Sequence, residues 1–185
     1  MNVHFIDLDA PHDASVLSPA ERARAARFRY ETDRTRWIAS RAALRRVLAE
    51  ATGVAAEELE LEESGKPRLV RRGCGVEFNL SHSGAVAMIA IASAPVGVDI
   101  EQVTEAIDID AAASTAFTSE ERAWLDAFRD AEKRREAFFR CWTRKEAWLK
   151  ARGLGLAFDP RSFSNFDVPV VDVQAPGGYV AAMAT

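Results

Sequence analysis

Four short stretches of this 185-residue chain hold residues whose type and spacing suit chemistry. Residues 138–150 read FFRCWTRKEAWLK, in which Glu146 and Lys150 stand four apart. On a helix that spacing makes the carboxylate and the ammonium neighbours at the edge of one face. Asp99 and Glu101 alternate in GVDIE. On an extended strand they share a face while Ile100 points into the core. Two carboxylates on one face repel unless a cation lies between them. Such a pair suits Mg²⁺, which takes a few carboxylates and keeps water and phosphate oxygens in its other positions. Ser81 and His82, in FNLSHSG, offer a hydroxyl and an imidazole. Adjacent residues on an extended chain point to opposite sides, and no Gly-x-Ser-x-Gly elbow is present, so they make a poor nucleophile–base pair. Phosphate contact and a structural turn remain the two readings. Lys66, in Gly65-Lys66-Pro67, is a point charge on a stiff turn. Glu60 stands where a P-loop needs glycine, and Pro67 where it needs Ser or Thr.

Each stretch also has a plainer reading. Glu146 and Lys150 could be a surface pair contributing about 0.2–0.5 kcal/mol. Asp-x-Glu could be a solvent-facing strand edge. Nine arginines between positions 22 and 46, Arg34 and Arg41 among them, are first of all a solvated helix face. In an acidic protein such clustering also suits an anion site.

The elements that must position these residues follow from local signals. Val3 to Leu8 reads as a strand. Ser18-Pro19 with Glu21 opens a helix through a capping box, and the arginine-rich segment predicts two helices broken near residues 31–33. Thr52-Gly53 ends the second. Residues 85–92 form a strongly apolar strand, and GVDIE another. Thr118-Ser119-Glu120-Glu121 is a second capping box, for a helix through Phe128, and Glu121 is read as a cap only. Residues 129–136 (RDAEKRRE) read as a charged connector into the helix of 138–150. On that helix Phe138, Cys141, Trp142, Trp148 and Leu149 fall on one broad face. Lys145 lies within it, an awkward place for an unpaired ammonium. Gly153 ends the helix. The tail from Phe158 reads as short strands, and no short-period repeat is visible.

Composition limits the function classes. Apolar residues at 48% and charged residues at 28% predict a packed, soluble core. A net charge of −4 argues against a general nucleic-acid binder. The apolar run from Ala85 to Pro95 is too short to span a bilayer, and no signal peptide is apparent at the N-terminus. Cys74 and Cys141 fit neither a disulfide framework nor a zinc pattern. A cytoplasmic protein without membrane or nucleic-acid partners is expected.

Together the stretches resemble the 4′-phosphopantetheinyl transferases of the Sfp type. The family pattern runs Gly-Lys-Pro, Asn-Leu-Ser-His-Ser, Gly-(Val/Ile)-Asp-Ile-Glu and Trp-x-x-Lys-Glu-x-x-x-Lys. Here Gly65-Lys66-Pro67, Asn79 to Ser83, Gly97 to Glu101 and Trp142 to Lys150 follow in that order, with GLGL and DPRSF behind them. One such motif is weak; four in order are specific, and the match runs from about Arg34 to Phe163.

The resemblance implies an α+β fold of two similar subdomains related by a pseudo-twofold axis, each a small sheet packed with helices. The halves would be 1–95 and 96–185, with coenzyme A between them. It implies Mg²⁺-dependent transfer of 4′-phosphopantetheine from coenzyme A to a serine of an apo acyl or peptidyl carrier protein, releasing 3′,5′-ADP. Asp99, Glu101 and Glu146 would hold Mg²⁺ against the pyrophosphate. Lys150 and His82, with Ser81 and Lys66, would contact phosphates. Arg41, helped by Arg34, would meet the adenosine 3′-phosphate. Such a transfer is mostly positioning and charge neutralisation. Glu146, beside Lys150, would be the serine's base, directly or through a metal-bound water. The alternatives are a non-catalytic coenzyme A-binding protein of the same fold and a metal-dependent phosphohydrolase built on the same carboxylates. A monomer is expected. The carrier is expected around residues 118–128 and the segment before them, where Ile107, Ile109 and Phe117 lie near Arg122, Arg129, Lys133, Arg134 and Arg135.

Overall fold

Two long helices carry the architecture, and both form for the same reasons. No Gly or Pro interrupts residues 31–52 or 131–152, and a left-handed glycine closes each run, Gly53 at φ 72° and Gly153 at φ 65°. In a computed structural model, which describes residues 1–62, 67–70, 75–155 and 158–185, the chain divides into two units, Met1–Ala94 and Pro95–Thr185.

The first unit begins with strand β1 (Asn2–Asp7) and helix α1 (Pro19–Ala25). Ser18 caps α1: its hydroxyl accepts from the Glu21 N–H, and the Glu21 carboxylate accepts from the Ser18 N–H. Helix α2 (Glu31–Thr52) follows, then the short ribbon of β2 (Leu61–Glu62) with β3 (Arg68–Leu69). Strands β4 (Glu77–Ser83) and β5 (Val86–Ala92) complete an antiparallel sheet in the order β1-β5-β4. Leu44, Leu48 and Ile89 are fully buried and pack with Leu59 and Phe78, fastening α2 to the sheet. Each such side chain contributes about 1.5–3 kcal/mol.

The second unit contains β6 (Gly97–Gln102), α3 (Ile109–Ala116), α4 (Ser119–Asp126), α5 (Ala131–Arg152), β7 (Val170–Val173) and β8 (Tyr179–Ala184). Its sheet runs β6-β8-β7. Phe117, Leu125, Phe138, Phe139 and Cys141 form one core cluster. Ala147 and Ala151 pack on Val170, Ala182 and Ala184 in another. The architecture is α+β in two similar subdomains. Each orders its sheet first strand, third, second, and the helical signals recur 100 residues on: Ser18 and Thr118 as N-caps, Glu21 and Glu121 at N3, Gly53 and Gly153 as C-caps.

Two boundaries differ from expectation. The break between α1 and α2 falls at residues 26–30, where Phe28 turns in to pack on Trp37 at 5.7 Å. Residues 131–136 belong to α5 and are not a connector, because Asp130 accepts from the Lys133 N–H at 2.8 Å and starts the helix there. Among the described residues no helix is long and apolar enough to cross a membrane.

Candidate active site

Gly97 opens β6 against α5. A Cβ there would meet the Ala147 carbonyl oxygen at 2.0 Å and the Ala151 nitrogen at 2.2 Å, so only glycine admits the helix this close. Alternation then puts Asp99 and Glu101 on the same face as Gly97, toward α5. The register agrees: Gly97 and Asp99 lie opposite Ala184 and Ala182, which pack on Ala147 and Ala151. Asp99 is 3% exposed, and Lys150 Nζ donates to its Oδ1 at 2.5 Å. Glu146, one turn before Lys150, is half-buried. Burial pushes its carboxyl above the usual range; Lys150 pulls it back, and the negative charge of Asp99 pushes it up again.

Three carboxylates on facing elements supply the hard oxygen donors that a divalent cation needs. Burial is the main reason the Glu146 carboxyl is raised, and the Asp99 charge adds a smaller repulsion that such a cation would relieve. The donor set therefore fits Mg²⁺ or a similar ion. Among the described residues no three His, Cys, Asp or Glu side chains are already gathered as a metal cage, and the ammonium of Lys150 lies on Asp99.

Lys145 belongs elsewhere. Its ammonium donates to Glu121 Oε1 and Oε2 at 2.8 and 2.7 Å and to the Phe163 carbonyl at 2.6 Å. Glu121 also accepts from the Asn165 backbone N–H at 2.6 Å. Burial pushes the Glu121 carboxyl up, but the Lys145 and Asn165 hydrogen bonds outweigh it and hold it below the usual range. Glu121 is thus a buried anchor as well as a cap. The capping box hid that second role, because nothing local shows what a cap residue meets across the fold.

The first unit builds a cationic cleft of about 210 Å³ from Arg24, Trp37, Ser40, Arg41, Pro67, Leu80 and His82. The guanidiniums of Arg24 and Arg41 each lie 5.8 Å from the Trp37 ring centroid. Arg41 is only 6% exposed, held by Glu21: Nε donates to Oε1 at 2.8 Å. Glu21 Oε2 takes Arg45 Nε at 2.5 Å. Burial pushes the Glu21 carboxyl up; the Ser18 N–H and the two guanidiniums outweigh it and leave it below the usual range. So the structure brings Arg41 and His82 together. Arg34 is not in the lining; it sits two turns before Arg41 and pairs with Glu31 at 2.7 Å. Ser81, opposite Met88 in the ladder, faces the other side of β4 from His82 and is not brought to this cleft. Lys66 lies outside the described residues. Arg24, Trp37 and Ser40 had no individual signal in the sequence, because nine arginines share that segment and only folding selects which ones line a cavity.

In the segment expected to dock a carrier, Ile109 and Phe117 are buried and only Ile107 is open, at 41%. Arg134 bridges Asp110 and Asp126 at 2.6 and 2.9 Å, and Arg135 donates to the Thr104 carbonyl at 3.1 Å. Both hold the unit together. Arg122, Arg129 and Lys133 are the exposed cations there.

Residues 95–180 match the 4′-phosphopantetheinyl transferase superfamily, and residues 9–94 match the 4′-phosphopantetheinyl transferase N-terminal family. The chain is 38% identical over 162 residues to the 4′-phosphopantetheinyl transferase HetI of Nostoc, covering 82% of this chain and 68% of the relative. The chain belongs to the 4′-phosphopantetheinyl transferase superfamily. Two further transferases are similar: psf-1 of Bacillus pumilus, at 37% over 80% of this chain and 63% of the relative, and Sfp of Bacillus subtilis, at 30% over 89% and 75%. The chain thus spans roughly three-fifths to three-quarters of the length of these superfamily members. The two matched ranges meet at 94/95, where the two units divide.

Proposed function

We propose that the protein transfers 4′-phosphopantetheine from coenzyme A to a serine of an apo acyl or peptidyl carrier protein, releasing 3′,5′-ADP. The observation that carries this is the assembly of β6 with α5, which sets Asp99, Glu146 and Lys150 at one place. Asp99, Glu101 and Glu146 would hold Mg²⁺, which when bound offsets charge on the pyrophosphate. Lys150, four residues along α5 from Glu146, leaves Asp99 for a phosphate oxygen, and its ammonium balances the charge that builds as the bond to the leaving group breaks. Glu146 takes the serine proton, directly or through a water; a carboxyl already raised by burial is a better base than an ordinary surface one. In the first unit, Arg41, helped by Arg34, takes the adenosine 3′-phosphate, and His82, with Ser81 and Lys66, contacts other phosphate oxygens. The working protein is a cytoplasmic monomer that meets neither nucleic acid nor membrane.

The second reading is a non-catalytic coenzyme A-binding protein of the same fold, in which Lys150 stays paired with Asp99. Intact-mass analysis of a panel of apo carriers, incubated with the protein, coenzyme A and Mg²⁺, decides between them. One added phosphopantetheine, lost with chelator, is expected. Coenzyme A binding without any label on any carrier overturns the transferase reading.

A further inference from the structure

Glu21 does not line the cleft, although Arg24 of the same helix does, yet its two carboxylate oxygens are divided in a way that concerns it. Oε1 accepts from both Arg41 Nε and Arg41 Nη2 at 2.8 Å, gripping one edge of the guanidinium. Oε2 takes the Ser18 N–H at 2.8 Å and Arg45 Nε at 2.5 Å. Arg45 in turn donates to the Ala56 and Leu59 carbonyls at 2.7 and 3.0 Å. The carboxylate is therefore fixed at the start of α1, from the α2 side and from the chain beyond α2, before it holds Arg41. Arg41 lines the cleft beside His82. A planar guanidinium recognises an anion only when its N–H edge is correctly aimed. The second unit supplies the contrast: Glu121, equally buried, holds Lys145, which is itself only 2% exposed and bonded to the Phe163 carbonyl.

We propose that Glu21 is a positioning residue for anion recognition: by clamping one edge of Arg41 it aims the guanidinium at the 3′-phosphate of coenzyme A, whereas Glu121 has only a structural role. This rests on the placement of the 3′-phosphate at Arg41 under the proposed function. A buried carboxylate beside Arg41 also offsets its charge, so two signs of effect compete. If charge offset dominated, Glu21→Gln would tighten anion binding; if aiming dominates, it weakens it.

The test is calorimetric binding of coenzyme A and of dephospho-coenzyme A, which lacks the 3′-phosphate, to the full chain. Wild type is expected to prefer coenzyme A. In Glu21→Gln that preference falls about tenfold toward unity, through weaker coenzyme A binding with dephospho-coenzyme A nearly unchanged. Glu121→Gln, which removes a carboxylate of equal burial, keeps the wild-type preference. Where Glu21→Gln alone does not fold, Glu21→Gln with Arg45→Met removes the other buried charge, and the same loss of preference is expected. Retained or increased preference in the folded Glu21 variants overturns the proposal while leaving Arg41 in place. A wild type that does not distinguish the two ligands overturns the placement of the 3′-phosphate at Arg41, and this proposal with it.

Discussion

Set side by side, the two units use one frame for opposite electrostatic ends. Each caps a short helix with a hydroxyl, buries the N3 glutamate of that cap, and ties it to a cation on a 22-residue helix. In the first unit the tied cation, Arg41, opens onto a cleft with Arg24 and His82. In the second the tied cation, Lys145, is closed in, and the same helix turns Glu146 and Lys150 toward Asp99 instead. One frame thus collects positive charge and the other negative charge. A repeated scaffold fixes where helices and strands go; which residues occupy the face between them sets what each copy binds.

The contrast breaks most visibly at the carboxylates. Asp99→Ala and Glu146→Ala should each lower transfer about 10³-fold with the fold intact, read as turnover at matched Mg²⁺ and as an unchanged melting profile. Wild-type-like turnover in either would remove the metal assignment. The shared frame is tested next. Glu121→Ala leaves Lys145 buried without its carboxylate and Glu21→Ala leaves two buried arginines, so each should cost about 3–5 kcal/mol in denaturant unfolding. A loss below 1 kcal/mol at either site would make that glutamate a cap alone.

Gly97→Ala sharpens the comparison inside the second unit. The new Cβ meets backbone atoms of α5 rather than a movable side chain, so a loss of about 3 kcal/mol is expected. Transfer should fall with it, because α5 carries Glu146 and Lys150. Unchanged stability would mean that the helix can shift outward freely.

Acid should weaken both units by the same route. Glu21 and Glu121 have folded-state values held below the usual one, so their stabilisation is complete above the unfolded value of about 4.3 and is lost as pH falls through the folded values. Glu21→Gln or Glu121→Gln should therefore flatten the acid limb of the stability–pH curve, measured by urea midpoint; an unchanged limb would assign it to other carboxylates. The smallest effect is expected at the surface of the second unit. Charge reversal at Arg129 and Lys133 should raise the carrier KM about threefold and leave that for coenzyme A alone. Reversal at Arg134 should mainly destabilise, since it places a third carboxylate beside Asp110 and Asp126.

The sequence by itself determined the order of motifs, the two capping boxes, the long helices with their closing glycines, and the alternation that sets Asp99 and Glu101 on one face. These are local: spacing, propensity and capping act within a few residues, so one chain suffices to read them. Only the tertiary structure decided which of nine arginines line a cleft, and that Lys145 answers Glu121 while Lys150 answers Asp99. Those choices pair residues 20 to 51 positions apart. Such pairings depend on how helices settle on sheets, and a sequence pattern that repeats every few residues carries no record of that.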